Sequence, residues 1–402
     1  MCAQLSGIAG QIKRLRAFLA SQAPEQRIAS GALAGLLQDA KPARVLCLGK
    51  AGRALARGVA ARWKGVDGFL FETTDGAPGR VPLDFLHYQG EHPVSGSASV
   101  KGTRILYDWL MDDETPLLAL VSGGASSLCC DPPPGWTLKE VAAVETALLE
   151  SGAPIRDINA VRLRLSRARG GGLRLRAGMG PVFTGVWCDV APQQWRLTGS
   201  APTFWPGGVP SAEGVVKKFG LRPPRPLSPS FRVTGPSLDK AVCLADCRRM
   251  VDEAVAFIRE EGIEARAVRA PEGISPVALA RRFKAEALMT VNRPAAIIGA
   301  GEAPVRVTAK GRGGRCSHLA CEVALALQGI SDWTFLAMAT DGVDGSAGSG
   351  AAVTSETAPP VGRIEKALAA CATGELLDAR SCLLPRNPTG NNLRDLWVLF
   401  LE

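Results

Sequence analysis

A lysine one residue past a buried strand and at the start of a helix can place a point charge on a phosphate or carboxylate. Lys50, in Leu48-Gly49-Lys50-Ala51-Gly52-Arg53, has that setting, which equally suits an exposed lysine that merely begins a helix. The segment Ser122-Gly123-Gly124-Ala125-Ser126-Ser127 offers unobstructed backbone amides and three hydroxyls, the composition of an anion-binding nest or, more plainly, of a turn with a serine cap. In Gly311-Arg312-Gly313-Gly314-Arg315 the glycines hold two arginines at a helix start, where a guanidinium can clamp phosphate oxygens in pairs. Asp341 and Asp344 share the turn Thr340-Asp341-Gly342-Val343-Asp344-Gly345 and could hold Mg2+ directly or through water, although Asp-Gly turns also occur without metal. Asp189, alone after an apolar run, is a candidate metal ligand or a base for a hydroxyl proton. The run from Arg162 to Gly172 alternates Arg with Leu and reads either as part of an anion site or as a half-buried segment with a solvated basic face.

Each of these groups needs a scaffold that points it at a common place. Short apolar runs at Val45–Leu48, Leu117–Val121, Val182–Trp187, Ala295–Ile298, Val305–Ala309 and Phe335–Ala339 end in polar or glycine-rich loops and lead into helical sequence, the alternation of an α/β protein. Ligands of such sheets bind beyond the carboxyl ends of the strands, where these loops lie. Residues 7 to 38 predict two helices broken at Pro24, residues 238 to 261 a long amphipathic helix, and Leu396–Leu401 a buried final strand. Seven prolines between Pro206 and Pro236 predict a linker or surface excursion. No internal repeat stands out. Neither G-x-x-x-x-G-K-[ST] nor a G-x-G-x-x-G following a strand is present, and without an acidic ribose partner a nicotinamide-dependent oxidoreductase lacks support.

The 402 residues, 46% hydrophobic and 21% charged, suffice for two domains. A net charge of +9 could serve nucleic acid or a small anion, but 35 Arg and 12 Lys are dispersed and no basic segment is interleaved with aromatics, so nucleic-acid binding is not expected. No run of 18 apolar residues predicts a membrane span, and the N-terminus lacks the charge order of a secretory signal. Eleven scattered cysteines without a CxxC pair point to buried thiols in a reducing cytoplasm, and the three histidines show no zinc-ligand spacing.

Read in order, Gly49-Lys50-Ala51, His92-Pro93-Val94, Ser122-Gly123-Gly124 and Ser151-Gly152-Ala153 with Ile155 and Asn159-Ala160-Val161-Arg162 form one pattern. It continues through Leu165-Ser166, Gly170-Gly171, Asp189-Val190, Gly311 to Arg315, Thr340 to Gly345, Pro388-Thr389-Gly390, Asn392 and Asp395-Leu396. The series spans almost the whole chain and resembles the glycerate 2-kinase family, the two-domain type with a C-terminal MOFRL domain. The resemblance implies an N-terminal Rossmann-like three-layer α/β domain over 1–235, a smaller MOFRL-type α/β domain over 236–402, and an active site in the cleft between them. It implies ATP- and Mg2+-dependent phosphorylation of D-glycerate to 2-phosphoglycerate in the cytoplasm, with a homodimer left open. Lys50, Asp189 and Arg315 would then be catalytic. Ser122, Gly123, Gly124, Ser126, Ser127, Arg162, Arg312 and Asn392 would bind phosphate or substrate, and Asp189, Asp341 and Asp344 would hold the metal.

The chain departs from the family pattern where acidic and amide groups are expected. Asp189 is followed by Val190-Ala191-Pro192-Gln193-Gln194 in place of a Gly-Asp-Asp-Pro stretch, Ser95-Gly96 replaces Pro-Asp, and Cys316-Ser317-His318 replaces Asn-Gln-Glu. Ser346-Ala347-Gly348 replaces Pro-Thr-Asp, while Arg164 and Arg169 replace a His and a Lys. Such losses suggest a kinase retuned to another hydroxylated small molecule in a specialised pathway or, alternatively, a decayed anion-binding homologue. Retention of Lys50 with Arg315 favours an enzyme.

Overall fold

The computed structural model describes residues 8–38, 41–74, 76, 78–111, 114–229 and 238–402. They form two compact units: residues 24–246, and residues 247–402 joined by the described part of 1–23. Both are α/β, the class expected.

In the first unit, β1 (Arg44–Leu48), β2 (Asp67–Thr73), β3 (Phe85–Gly90), β4 (Leu117–Ser122), β5 (Val182–Trp187) and β6 (Lys240–Ala245) make one sheet in the order β3-β2-β1-β4-β5-β6. All its pairings are parallel. Every residue of β1 and β4 is buried, as strands covered on both faces must be, and their apolar side chains each contribute roughly 1.5–3 kcal/mol. Leu46, Leu48, Phe69, Phe71 and Val121 pack with Leu106 and Leu110 of the helix Ser97–Leu110. Because β1 lies between β2 and β4, the chain reverses its direction of winding there, and the carboxyl ends of β1 and β4 open a crevice.

The second unit's sheet is mixed. Its strands are β7 (Glu264–Ala267), β8 (Ala295–Gly301), β9 (Trp333–Ala339), β10 (Gly350–Thr354), β11 (Leu383–Leu384) and β12 (Asp395–Leu401), ordered β11-β10-β9-β12-β8-β7. β12, wholly buried, runs antiparallel to both neighbours, so Asp395 pairs with Gly301 at the end of β8 and with Ala339 at the end of β9. The helix Ile8–Ser21 belongs to this unit: Phe18 meets Phe257 with ring centroids 5.5 Å apart, and Arg14 pairs with Glu261 at 3.3 Å.

Several expectations are corrected. Residues 238–261 are not one helix: Lys240–Ala245 is the edge strand β6, paired with β5, and the helix runs Cys247–Glu260. Cys243 therefore sits on a strand. Val305–Ala309 forms no strand, and Val307 is 76% exposed. The first helical stretch is three helices, Ile8–Ser21, Pro24–Ala29 and Ala34–Leu37; its expected start at residue 7 is outside the described residues. So are residues 230–236 of the proline-rich segment and the expected domain boundary at 235/236; the described β6 belongs with the first sheet and Ile8–Ser21 with the second unit. The ten described cysteines are free thiols, nine of them buried. Among the described residues no helix is long and apolar enough to cross a membrane.

Candidate active site

At the crevice of the first sheet two loops are tied together by backbone and by one hydroxyl. Lys50 N–H donates to Gly123 O at 2.8 Å, Ala51 N–H donates to Ser122 Oγ at 3.1 Å, and Ser122 Oγ donates to Leu48 O at 2.8 Å. Gly49 (φ +99°) permits the approach, since a Cβ there would lie 2.5 Å from Gly123 O and from Ser122 Oγ. Ser122, expected to bind phosphate, is fully buried and straps β1 to β4 instead. Gly124 (φ +84°) has no side chain to separate the loop from Lys50, whose Cγ would stand 3.2 Å from an added Cβ.

Beside this loop is a pocket of about 170 Å³ whose lining includes Gly123, Gly124, Ser126, Ser127, Asn159, Arg162, Asp189 and Ser200 on its polar side, and Leu149, Ile155, Val190 and Leu197 as apolar wall. Asp189 enters it directly past β5. The helix Ile155–Arg162 contributes Ile155, Asn159 and Arg162, spaced i, i+4 and i+7 and therefore on one face. The polar groups are chained: Ser126 and Ser200 hydroxyls are 2.6 Å apart, Ser200 Oγ donates to Asn159 Oδ1 at 2.6 Å, and Asn159 Nδ2 donates to Ile155 O at 3.0 Å. Ser127 Oγ donates to Gly124 O at 3.0 Å.

Behind the pocket lies a buried charge cluster that sequence reasoning missed. Glu145, on the helix Leu138–Glu150, accepts from Arg169 Nη2 at 2.7 Å and from Ser95 N–H at 3.1 Å. Arg169, fully buried, also donates to Ser126 O (2.9 Å), Arg162 O (3.2 Å) and Ser95 Oγ (3.0 Å), so one guanidinium fixes three pocket segments. Ser95 and Arg169, two of the residues that the resemblance marked as departures, touch. Burial alone would raise Glu145; Arg169, Arg162 and the Ser95 N–H outweigh it and hold the carboxyl below its ordinary value. Arg162 is 8% exposed, its Nη2 donates to Pro93 O at 3.4 Å, and its Nε, 3.9 Å from Glu145, has no hydrogen-bond partner among the described residues. Burial lowers this guanidinium while Glu145 opposes the shift, and an arginine so placed stays cationic. The half-buried basic face considered for 162–172 is thus corrected at Arg162 and Arg169, both buried inward. A legible signal existed: Glu145 sits with Val141, Val144 and Leu148 on one helical stripe, and an acid on an apolar stripe calls for a buried partner.

In the second unit Arg315 forks onto Asp395, Nε to Oδ2 at 3.2 Å and Nη2 to Oδ1 at 3.1 Å, and its Nη1 donates to Glu302 at 2.7 Å. Burial lowers Arg315, but Asp395 and Glu302 outweigh it and raise the guanidinium; burial pushes Asp395 up while Arg315 pulls against it. Asp395, an acid heading an apolar strand, was not among the expected site residues. Asp344, expected as a metal ligand, is buried and caps the helix Arg315–Ala326: its two oxygens accept from Cys316 and Ser317 N–H, both at 2.9 Å. Asp341 Oδ1 accepts from Val343 N–H at 2.9 Å within its own turn. Arg312 is paired to Asp378 at 2.5 Å, and Asn392 N–H donates to Asn391 Oδ1 at 2.8 Å. Among the described residues no group of three or more His, Cys, Asp or Glu is placed to hold a metal ion.

Residues 13–228 match the family described as "Domain of unknown function (DUF4147)", and residues 295–395 match the MOFRL family. The chain is similar to the D-glycerate 2-kinase of Thermotoga maritima, with 31% identity over 337 residues, 78% of this chain and 80% of that protein. It is similar at 31% identity, over 75% of its length and 73% of the relative's, to an Agrobacterium vitis protein named "Putative hydroxypyruvate reductase". The crystal structure of a Thermotoga maritima glycerate kinase superposes with a TM-score of 0.85 at 25% identity, covering 98% of each chain.

Proposed function

Because the chain belongs to the glycerate 2-kinase family, we propose that it transfers the terminal phosphoryl group of ATP to a hydroxyl of a small hydroxy acid, with D-glycerate to 2-phosphoglycerate as the reference reaction. The observation that carries this reading is the pocket at the crevice of the first sheet, where the glycine loop and Lys50 adjoin a cavity lined by Asp189 and a buried arginine.

Arg162, the buried arginine of the pocket lining, anchors the carboxylate of the acid. Asp189 accepts the proton of the acceptor hydroxyl as its oxygen bonds to phosphorus. Lys50 lends a positive charge to the transferred group, and phosphoryl transfer asks the protein mainly for such positioning and charge. Arg315, oriented by Asp395, is proposed as a further phosphoryl cation, and Asn392 as a ligand contact. Mg2+ would neutralise phosphate charge when bound; Asp189 of the first unit and, separately, Asp341 of the second are the proposed carboxylate ligands. Asp344 also caps the helix Arg315–Ala326, and Arg312 also pairs with Asp378. The free, mostly buried thiols support a reducing cytoplasm as the place of action.

A screen of ATP consumption over small hydroxy acids with Mg2+ tests the reading. ADP release that depends on the acid is expected, with Asp189→Asn lowering kcat by more than it raises KM. No ADP release with any acid and no thermal shift with Mg-ATP would sink it. Reduction of a 2-keto acid by NADH is a second reading, favoured by the Agrobacterium relative's name and by the strand order, which dinucleotide-binding sheets share. NADH oxidation with hydroxypyruvate in the absence of ATP would put it first.

A further inference from the structure

Three features of the first unit's pocket describe an acceptor larger and less polar than glycerate. The helix Ile155–Arg162 lines it from an apolar end at Ile155 to a cationic end at Arg162, seven residues or about 10 Å of helix. Glycerate's carbon chain has only two C–C bonds of about 1.5 Å each, so a molecule anchored by its carboxylate at Arg162 would leave the Ile155 end unfilled. The hydroxyl protons of Ser126, Ser127 and Ser200 are committed within the Ser126-Ser200-Asn159 chain or to Gly124 O, so a second acceptor hydroxyl can donate to these serines but receives no hydrogen bond from them. Beyond them Leu149, Ile155, Val190 and Leu197 form an apolar stretch of the wall, next to His92 and Pro93, against which an apolar substituent buries surface.

We propose that the phosphoryl acceptor is a 2-hydroxy acid bearing an apolar side chain of three to four carbons, its carboxylate at Arg162 and its side chain against Leu149, Ile155 and Val190. The inference rests on the kinase reading above. In the reaction the 2-hydroxyl loses its proton to Asp189, its oxygen forms the new bond to phosphorus, and the bond from that phosphorus to the bridging oxygen of ATP breaks to release ADP.

The test compares kcat/KM for D-glycerate, 2-hydroxy-3-methylbutanoate and 2-hydroxy-4-methylpentanoate with Mg-ATP, alongside saturation binding of each acid by calorimetry. A methylene in an apolar pocket is worth about tenfold or more, so at least one branched acid is expected to exceed D-glycerate by tenfold. Ile155→Ala and Leu149→Ala should each collapse that ratio by about tenfold. Leu149 is 38% exposed, so its truncation keeps the test valid if Ile155→Ala does not fold. A ratio below threefold, or one that both truncations leave intact, overturns the proposal. If no acid is phosphorylated, the kinase reading fails on its own: branched-acid binding weakened by the truncations would still sustain the pocket's preference, and absence of binding would overturn both.

Discussion

Arg162, Glu145 and Arg169 pose the sharpest question among single residues, because two cations and one anion are buried together. Such a cluster is stable only while every member is present, and removing one partner from a buried pair costs about 3–5 kcal/mol. Glu145 is held below the ordinary glutamate value of about 4.3, so the folded state binds fewer protons than the unfolded chain in the acid range. Its stabilisation is therefore complete above that value and is lost as pH falls through the lowered folded value. Thermal melts from neutral to acid pH should show Glu145→Gln less stable at pH 7, with the gap closing on acidification; a gap independent of pH would mean Glu145 is not ionised in the fold. Lys50 is a half-buried side chain beside a bare glycine turn. Lys50→Ala should lower turnover by about 10²–10³-fold while moving Tm by no more than about 2 °C. A large drop in Tm with unchanged turnover would make Lys50 structural.

At the scale of elements, the site depends on how closely β1 and β4 end together. The Ser122 hydroxyl bonds Leu48 O and Ala51 N–H, and Gly49 leaves room for it. Ser122→Ala should destabilise by about 1–3 kcal/mol by leaving those backbone groups unpaired. Gly49→Ala should destabilise at least as much, and the double variant should cost less than the sum, because the alanine at 49 already breaks the strap. Urea denaturation of the three variants gives the coupling, and strict additivity would show that Ser122 and Gly49 act separately. Ser122, Gly123 and Gly124 were legible as a loop after a strand, but which serine faces a ligand was not. The answer depends on a neighbour 74 residues away at Leu48, and periodicity within one segment carries nothing about such partners. For the same reason residues 240–245 read as helix: their apolar pattern continues smoothly into Cys247–Glu260, and only pairing with β5 makes them a strand. Val305–Ala309 shows the converse, a strand-like run that pairs with no strand of the sheet. Buried elements of strong pattern, β1, β4, β5, β9 and β12, were readable because continuous apolar runs closed by glycine or polar turns leave few alternatives.

For the molecule as a whole, chain order and compact units do not coincide. The helix Ile8–Ser21 precedes the first sheet in sequence yet packs with the second, through Phe18 on Phe257, Arg14 with Glu261, Gln11 with Glu402 at 3.0 Å, and Asn391 donating to Gln22 O at 3.3 Å. The first unit has a complete six-stranded parallel sheet with its own core, so a fragment covering 24–246 should fold cooperatively and retain the pocket. A fragment covering 247–402 lacks the helix that buries Leu15 and Phe18, two large apolar side chains worth roughly 1.5–3 kcal/mol each, and should melt lower or aggregate. Fusing residues 8–23 ahead of Cys247 through a Gly/Ser linker should restore its melting temperature, and Phe18→Ala in that fusion should undo much of the gain. Equal melting of the two C-terminal fragments would mean that the helix adds nothing to the unit. Restoration would show instead that residues 8–23 are the N-terminal piece of a discontinuous second unit, interrupted by insertion of the entire 24–246 sheet.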